Sequence, residues 1–227
     1  MVKQHGLATA VNSTKIFSKG PSDALHSGHA ITKISSWNIR TGNDRNLESA
    51  VLEMGRQGIE FCALQEVRKA KSGTQVLKIK DEVTHQIHNY TLLFSGSEKG
   101  GQHGVGILIK DTKISFLKEW NASKKFPERI MWAVLDGVTI LSFYGFTETK
   151  SSKSNISKDD HKNRKTKLYE ELNNIYNTLK HDKPIFICGD YNARIGFRDN
   201  NPRQAGQFGD PKENQQKKMV PLYLILQ

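Results

Sequence analysis

The stretch ICGDYNARIG, residues 187–196, ends an apolar run in polar residues. The preceding PIFIC (184–188) predicts a buried strand, and Asp190 and Asn192 follow it two positions apart. Alternate residues of an extended backbone point to the same face, so both side chains leave one face together. A carboxylate and a carboxamide at this position predict a polar site at the end of a buried strand.

Two earlier apolar runs end in similar polar residues. The run at 31–39 (ITKISSWNI) predicts a strand that ends at Asn38, and the run at 59–67 (IEFCALQEV) predicts a buried strand that runs into Glu66. Residues 46–58 between them (NLESAVLEMGRQG) have the apolar spacing of one helical face and end in a glycine that predicts a C-cap. This strand–helix–strand order predicts two parallel, buried neighbours.

The following residues predict further short strands and one more helix. The run at 138–146 (VTILSFYGF) predicts a strand with Tyr144 near its end, and the Asp-Gly pair at 136–137 predicts a hairpin before it. Residues 160–180 have the spacing of an amphipathic helix. Other predicted strands cover residues 90–94, 104–109, 114–120 and 129–135, and residues 68–74 are predicted as a connection. We therefore expect one α/β domain with two β-rich halves and covering helices.

The two ends of the chain differ from this domain. Residues 1–30 mix Ser, Lys, His and Gly without a sustained period, so they predict a disordered polar tail. The domain is expected over residues 31–209, and residues 210–227 are expected to form an atypical C-terminal tail.

Composition favours an anionic partner. The chain has 227 residues and a formal net charge of +11, which favours nucleic acid first and an acidic membrane surface second. A solvated lysine-rich surface is the alternative. The two cysteines, Cys62 and Cys188, lie in apolar runs and predict buried thiols in a reducing compartment. With no predicted signal peptide or membrane helix, we expect a nuclear or cytoplasmic protein that is not secreted.

The polar strand ends have the chemistry of a magnesium site. They supply two carboxylates and two carboxamides, which are hard oxygen ligands. A zinc site would require cysteines or clustered histidines, and neither occurs at these strand ends. We therefore expect Mg²⁺, with Mn²⁺ as the alternative.

Six segments in order resemble the motifs of the endonuclease/exonuclease/phosphatase superfamily: SWNIRTG, CALQEVR, HGVGILI, ERIMWAVL, SFYGFT and ICGDYNARIG. The resemblance covers about residues 31–209 and is greatest to the endonuclease domains of non-LTR retrotransposons and the related craniofacial development protein 2-like sequences. It implies a DNase I-like sandwich of two mixed β-sheets with helices packed outside. The implied activity is metal-dependent hydrolysis of phosphodiester bonds in DNA.

The resemblance also implies a role for each residue of the site. Glu66 matches the family's principal metal-binding carboxylate, with Asn38 beside it as a second metal-site residue. Asp190 matches the residue that orients or deprotonates the attacking water or supports the metal. Asn192 matches the amide that holds the phosphate, and Tyr144 matches a tyrosine at the phosphate.

One departure from the family pattern affects the expected activity. Family members end in further strands and a Ser-Asp-His motif, whereas here the resemblance fades near FGDPKENQQ (208–216) and no Ser-Asp-His occurs. We therefore expect C-terminal strands to be missing or replaced and the endonuclease to be impaired. An inactive remnant that at most binds nucleic acid non-specifically is the first alternative. A related phosphodiesterase acting on a lipid or inositol phosphate is the second.

Structural roles remain open for several of these residues. Glu66 also fits a surface charge, and Asp190 and Asn192 fit an Asx turn that is compatible with function. Asn38 fits a turn, and Tyr144 fits a packing residue with a wet hydroxyl. The cations between residues 150 and 167 fit either a DNA-phosphate contact or a solvated helix face.

Overall fold

The computed structural model describes residues 32–147, 157–180 and 183–192. The predicted polar tail at 1–30, the predicted tail at 210–227 and the expected loss of C-terminal strands lie outside these ranges.

The described ranges contain nine strands and three helices. In chain order they are β1 (Ile34–Asn38), α1 (Asp44–Gln57), β2 (Phe61–Gln65), β3 (Ser72–Lys80), β4 (Ile87–Ser95), β5 (Val105–Lys110), α2 (Asp111–Ile114), β6 (Leu117–Ala122), β7 (Ile130–Leu135), β8 (Val138–Tyr144), α3 (Lys158–Leu179) and β9 (Ile185–Asp190).

These strands form two mixed sheets. The first has the order β1-β2-β5-β4-β3 and the second the order β6-β7-β8-β9. β1 and β2 are parallel, as are β8 and β9, and the other neighbouring pairs are antiparallel. Each parallel pair is joined through a helix, which is the connection that parallel strands require.

Buried apolar residues of the two sheets face each other. This central core contains Phe61, Leu93, Ile107 and Ile109 from the first sheet and Met131, Leu135, Val138 and Ile140 from the second. α1 packs on the outer face of the first sheet, and α3 packs on the outer face of the second. The expected DNase I-like sandwich of two mixed sheets with helices outside is therefore confirmed.

Helix α1 follows its sequence pattern closely. Leu47, Val51 and Met54 are buried on its inner face. Asn43 caps the helix by accepting a hydrogen bond from the third residue after it, and Gly58 ends it in the left-handed conformation with φ of 65°. The predicted helical face and the predicted glycine C-cap are both confirmed.

Several boundaries differ from the sequence prediction, and strand β3 as a whole was not predicted. The connection predicted at 68–74 already contains the start of β3, because Ser72 pairs with Ser95 of β4. Pairing with a neighbouring strand here outweighs the low strand propensity of serine and glycine. The strand predicted at 114–120 begins only at Leu117, after the single turn of α2.

The predicted hairpin at 136–137 is confirmed. β7 and β8 are antiparallel neighbours, and Gly137 has the φ of 88° that such a tight turn requires.

Within the described ranges, no helix is both long enough and apolar enough to cross a bilayer.

Candidate active site

The carboxyl ends of the two parallel strand pairs meet at one edge of the sandwich. β1 contacts β9 across the interface, and β2 contacts β8. The register places Asn38 opposite Gln65 and Tyr144 opposite Asp190. Since parallel strands end at the same edge, their terminal side chains converge there.

Asn38 joins the two carboxylates of this site. Its Nδ2 donates to Glu66 Oε1 at 2.9 Å and to Asp190 Oδ2 at 3.2 Å. Tyr144 donates its hydroxyl to the same Glu66 Oε1 at 3.1 Å. The structure thus brings together four of the five residues that the sequence assigns to the site, at mutual hydrogen-bond distances.

Asn192, the fifth residue, fixes Asp190 and the exit of β8 through two hydrogen bonds. Its backbone N–H donates to Asp190 Oδ1 at 2.9 Å, and its Nδ2 donates to the carbonyl of Gly145 at 2.9 Å. The first bond closes an Asx turn, as the sequence allows, and the second fastens this turn to the exit of β8. Gly145 permits this approach, because a Cβ there would lie 2.3 Å from the carbonyl oxygen of Tyr191.

A buried arginine holds the exit of β8. Arg129 donates to the carbonyl of Gly145 at 2.9 Å, and its guanidinium lies 4.9 Å from the Tyr144 ring centroid and 4.3 Å from that of Phe146. Arg129 is 4% exposed, so this guanidinium is not available to a ligand in solution. It therefore acts as a structural support for Tyr144.

The site combines an ionised carboxylate with a neutral phenol. Burial opposes ionisation of Glu66, but hydrogen bonds from Asn38, Arg68 and Tyr144 outweigh burial and lower the pKa of this carboxyl. Burial and the neighbouring Glu66 carboxylate raise the pKa of Tyr144 to about 12. Tyr144 therefore remains a hydrogen-bond donor at neutral pH.

Two site residues were not found from the sequence. Arg68 Nη2 lies 2.6 Å from Glu66 Oε2, and the His103 ring centroid lies 6.0 Å from that of Tyr144. Arg68 follows Glu66 by two positions, but both residues have positive φ, so the alternation of an extended strand does not predict their contact. His103 directly precedes the run predicted as a strand at 104–109, and its pattern indicated only sheet packing.

The donor set at this edge fits a hard divalent cation. Glu66 and Asp190 supply carboxylate oxygens, and Asn38 lies between them. In the part of the chain that the structure describes, no three His, Cys, Asp or Glu side chains come together to hold a metal. Mg²⁺ is commonly held by one or two carboxylates and completes its shell with water and phosphate oxygens. These residues therefore fit Mg²⁺ or Mn²⁺.

Helix α3 carries exposed cations, and one of them lies near this edge. Arg164 of α3 is exposed, and its guanidinium lies 5.0 Å from the ring centroid of Phe146, two residues after Tyr144. Lys162 and Lys167 on the same helix are also exposed. Of the predicted cations, Lys150, Lys153 and the side chain of Lys158 lie outside the described part.

Comparison with known proteins gives a family match. Residues 35–217 match the family described as the Endonuclease/Exonuclease/phosphatase family. The search of curated proteins found no match.

Similar folds occur among solved structures. An AP endonuclease from Archaeoglobus fulgidus has 18% identity and a TM-score of 0.49, and the match covers 72% of this chain and 58% of that one. The 3′ phosphatase NExo from Neisseria, bound to a product DNA hairpin, has 14% identity and a TM-score of 0.48, with 72% and 58% covered. The cytolethal distending toxin of Haemophilus ducreyi has 10% identity and a TM-score of 0.44, with 71% and 67% covered. The chain thus spans 58% of the length of the first two structures.

Proposed function

The chain belongs to the endonuclease/exonuclease/phosphatase family, and from this premise we propose that it is a divalent-metal-dependent phosphodiesterase domain that nicks DNA. We assign it to the retrotransposon endonuclease type on the order of its sequence motifs. The observation that carries the proposal is the convergence of Asn38, Glu66, Tyr144 and Asp190 at one edge of a rigid sandwich.

Each residue has a task in such a reaction. Glu66 and Asn38 would hold the divalent cation, Mg²⁺ or Mn²⁺, which supplies positive charge against the phosphate when it is bound. Asp190, fixed by Asn38 and by the backbone of Asn192, is placed to draw a proton from an attacking water. The Tyr144 hydroxyl has one proton, which it donates to Glu66 Oε1, and it would donate this proton to a phosphate oxygen in place of Glu66 when substrate binds.

The nucleic-acid substrate is supported by charge. The chain carries a net charge of +11, and the exposed Arg164 of α3 lies 5.0 Å from the ring of Phe146, two residues after Tyr144. Such cations bind the phosphate backbone with an affinity that falls as the salt concentration rises. We further propose a nuclear or cytoplasmic location, where the free thiols of Cys62 and Cys188 stay reduced.

Plasmid nicking in Mg²⁺ and in Mn²⁺ tests the catalytic assignment. Wild type should convert supercoiled plasmid to open circle, whereas Glu66→Ala and Asp190→Ala should lose at least about a hundredfold in rate. Glu48→Ala is the matched control, because Glu48 is an exposed carboxylate on the outer helix α1. Equal rates in wild type and all three variants would refute the assignment.

DNA binding measured in parallel separates the alternative. A protein that binds nucleic acid without cleaving it is the second candidate function, and the net charge of +11 favours it. Salt-dependent binding of a DNA duplex without nicking by wild type, in either metal, would favour that candidate over the phosphodiesterase.

A further inference from the structure

The two oxygens of Glu66 have different surroundings. Oε1 accepts from Asn38 and from Tyr144, which occupies both of its lone pairs. Oε2 accepts from Arg68 Nη2 at 2.6 Å. Oε2 is therefore the oxygen with capacity left for a cation, and a guanidinium lies against it.

The backbone of Arg68 is fixed. Its N–H donates to the carbonyl of His103 at 2.7 Å, and its carbonyl accepts from Gly101 at 2.9 Å. Its φ of 55° holds it in the left-handed region, and a Cβ at Gly104 would lie 3.0 Å from its nitrogen. Arg68 thus keeps its position when its side chain changes partner.

The side chain of Arg68, in contrast, lies toward solvent. It is 42% exposed, whereas the side chain of Glu66 is 19% exposed. Water screens a half-exposed ion pair of this kind, so the pair is weak and can be exchanged. A divalent cation brings twice the charge to the same carboxylate and competes well for it.

We propose that Arg68 and the divalent cation compete for Glu66 Oε2, and that the displaced guanidinium then binds a phosphate of the nucleic acid. Before the cation binds, Arg68 neutralises a carboxylate that lies close to Asp190. Afterwards, its planar fork matches two phosphate oxygens at once, which a lysine cannot do. Arg68 is thus a positioning residue that couples metal binding to substrate binding, and this inference rests on the proposed function.

Calorimetric titration with Mn²⁺, without nucleic acid, tests the competition. Arg68→Ala should bind Mn²⁺ about twofold to fivefold more tightly than wild type, the range set by a weak ion pair. Arg45→Ala is the matched control, because it removes the same charge from an exposed position on α1. Arg68→Lys keeps a competing cation and should bind Mn²⁺ within about twofold of wild type. Arg68→Ala binding Mn²⁺ as weakly as Arg45→Ala, or more weakly, would overturn the competition.

Fluorescence anisotropy with a short DNA duplex tests the second step. The measurement uses saturating Mn²⁺ and an Asp190→Ala background, which prevents turnover. Adding Arg68→Ala should weaken binding and reduce the slope of log affinity against log salt by about one. Arg68→Lys should also bind the duplex more weakly, because it lacks the fork. Duplex affinity equal to that of the Arg45→Ala control would overturn the phosphate role.

The two assays separate this inference from the proposed function. Glu66→Gln should abolish Mn²⁺ binding, and if wild type shows no binding that depends on Glu66, both proposals fail. If wild type binds Mn²⁺ through Glu66 and nicks DNA while Arg68→Ala behaves as Arg45→Ala, only the inference about Arg68 fails. Thermal denaturation of each variant establishes that it is folded before titration.

Discussion

Replacing Asn38 with aspartate would place a third carboxylate between two others. The Nδ2 atom that now donates to Glu66 and to Asp190 would become an oxygen, so two attractive contacts would become repulsive. Asn38→Ala is the matched control, because it removes the same two hydrogen bonds without adding a charge. The comparison isolates the electrostatic part of the change.

The size of the effect follows from these distances. Hydrogen bonds to part-exposed charged groups contribute about 1–2 kcal/mol here, which is the expected loss of stability in Asn38→Ala. Like charges about 4 Å apart repel by about 4 kcal/mol near a protein surface, and solvent and salt reduce this value. We therefore expect Asn38→Asp to be about 2–4 kcal/mol less stable than wild type at neutral pH.

The repulsion also determines the direction in which the stability of Asn38→Asp changes with pH. The repulsion raises the pKa of the new carboxyl in the folded state above its unfolded value of about 3.9. The folded state then binds more protons than the unfolded state, so stability falls as the pH rises between these two pKa values. The gap between Asn38→Asp and Asn38→Ala should be present at neutral pH and should close as the solution is acidified.

Urea denaturation followed by tryptophan fluorescence measures the gap, with and without Mg²⁺. A cation that binds the folded state stabilises it, and the variant with an extra carboxylate should gain most. Equal stability of the two variants at neutral pH, or a gap that does not narrow in acid, would refute the placement of Asn38 between the two carboxyl groups.

Three further outcomes follow from the structure. Because the pKa of Tyr144 is about 12, Tyr144→Phe should lower the nicking rate about a hundredfold without changing the shape of the pH profile near neutrality; a changed shape would contradict this. Asp81→Asn should unfold more easily at neutral pH, since the hydrogen bond from Arg56 lowers the pKa of this carboxyl. In urea titrations at decreasing pH, the difference in stability between wild type and Asp81→Asn should disappear as the pH falls through the lowered pKa of Asp81. A difference that stays constant with pH would contradict this. Burial raises the pKa of Cys62 to about 12 and that of Cys188 to about 11, so mass spectrometry after iodoacetamide should find both alkylated only in denaturant.

Most of the secondary structure was predictable because its sequence signals are local. The helical face of α1, its glycine cap and the hairpin at 136–137 depend on a few neighbouring residues. The convergence within each sheet was predictable for a different reason: β1 and β2 are parallel and deliver Asn38 and Glu66 to one edge, and β8 and β9 are parallel and deliver Tyr144 and Asp190 to one edge. The packing of the two sheets then brings these pairs together.

The features that were missed depend on distant partners. β3 begins at Ser72 because β4 lies beside it, and no property of serine or glycine predicts a strand there. The pairing of Arg68 with Glu66 Oε2 depends on positive φ at both residues, which arginine and glutamate rarely adopt. The approach of His103 to Tyr144 depends on how the loop before β5 packs against the end of β8 in the other sheet.

The positive φ angles themselves link the fold to the site. Arg40, Glu66, Arg68, His103 and Asn192 all have φ between 47° and 60°, and all follow or precede a strand at the site edge. A non-glycine residue in this region costs roughly 1–2 kcal/mol, so the strain at this edge is several kcal/mol. Such strain persists only where the surrounding structure fixes the backbone, as the hydrogen bond from the Arg68 N–H to the carbonyl of His103 does here. At these left-handed residues the backbone turns back over the strand ends, where the carboxylates, amides and guanidinium of the site meet. The packed core of the sandwich therefore compensates for the strain in the loops that follow or precede these strands. The site keeps its arrangement because these loops do not relax to unstrained backbone angles.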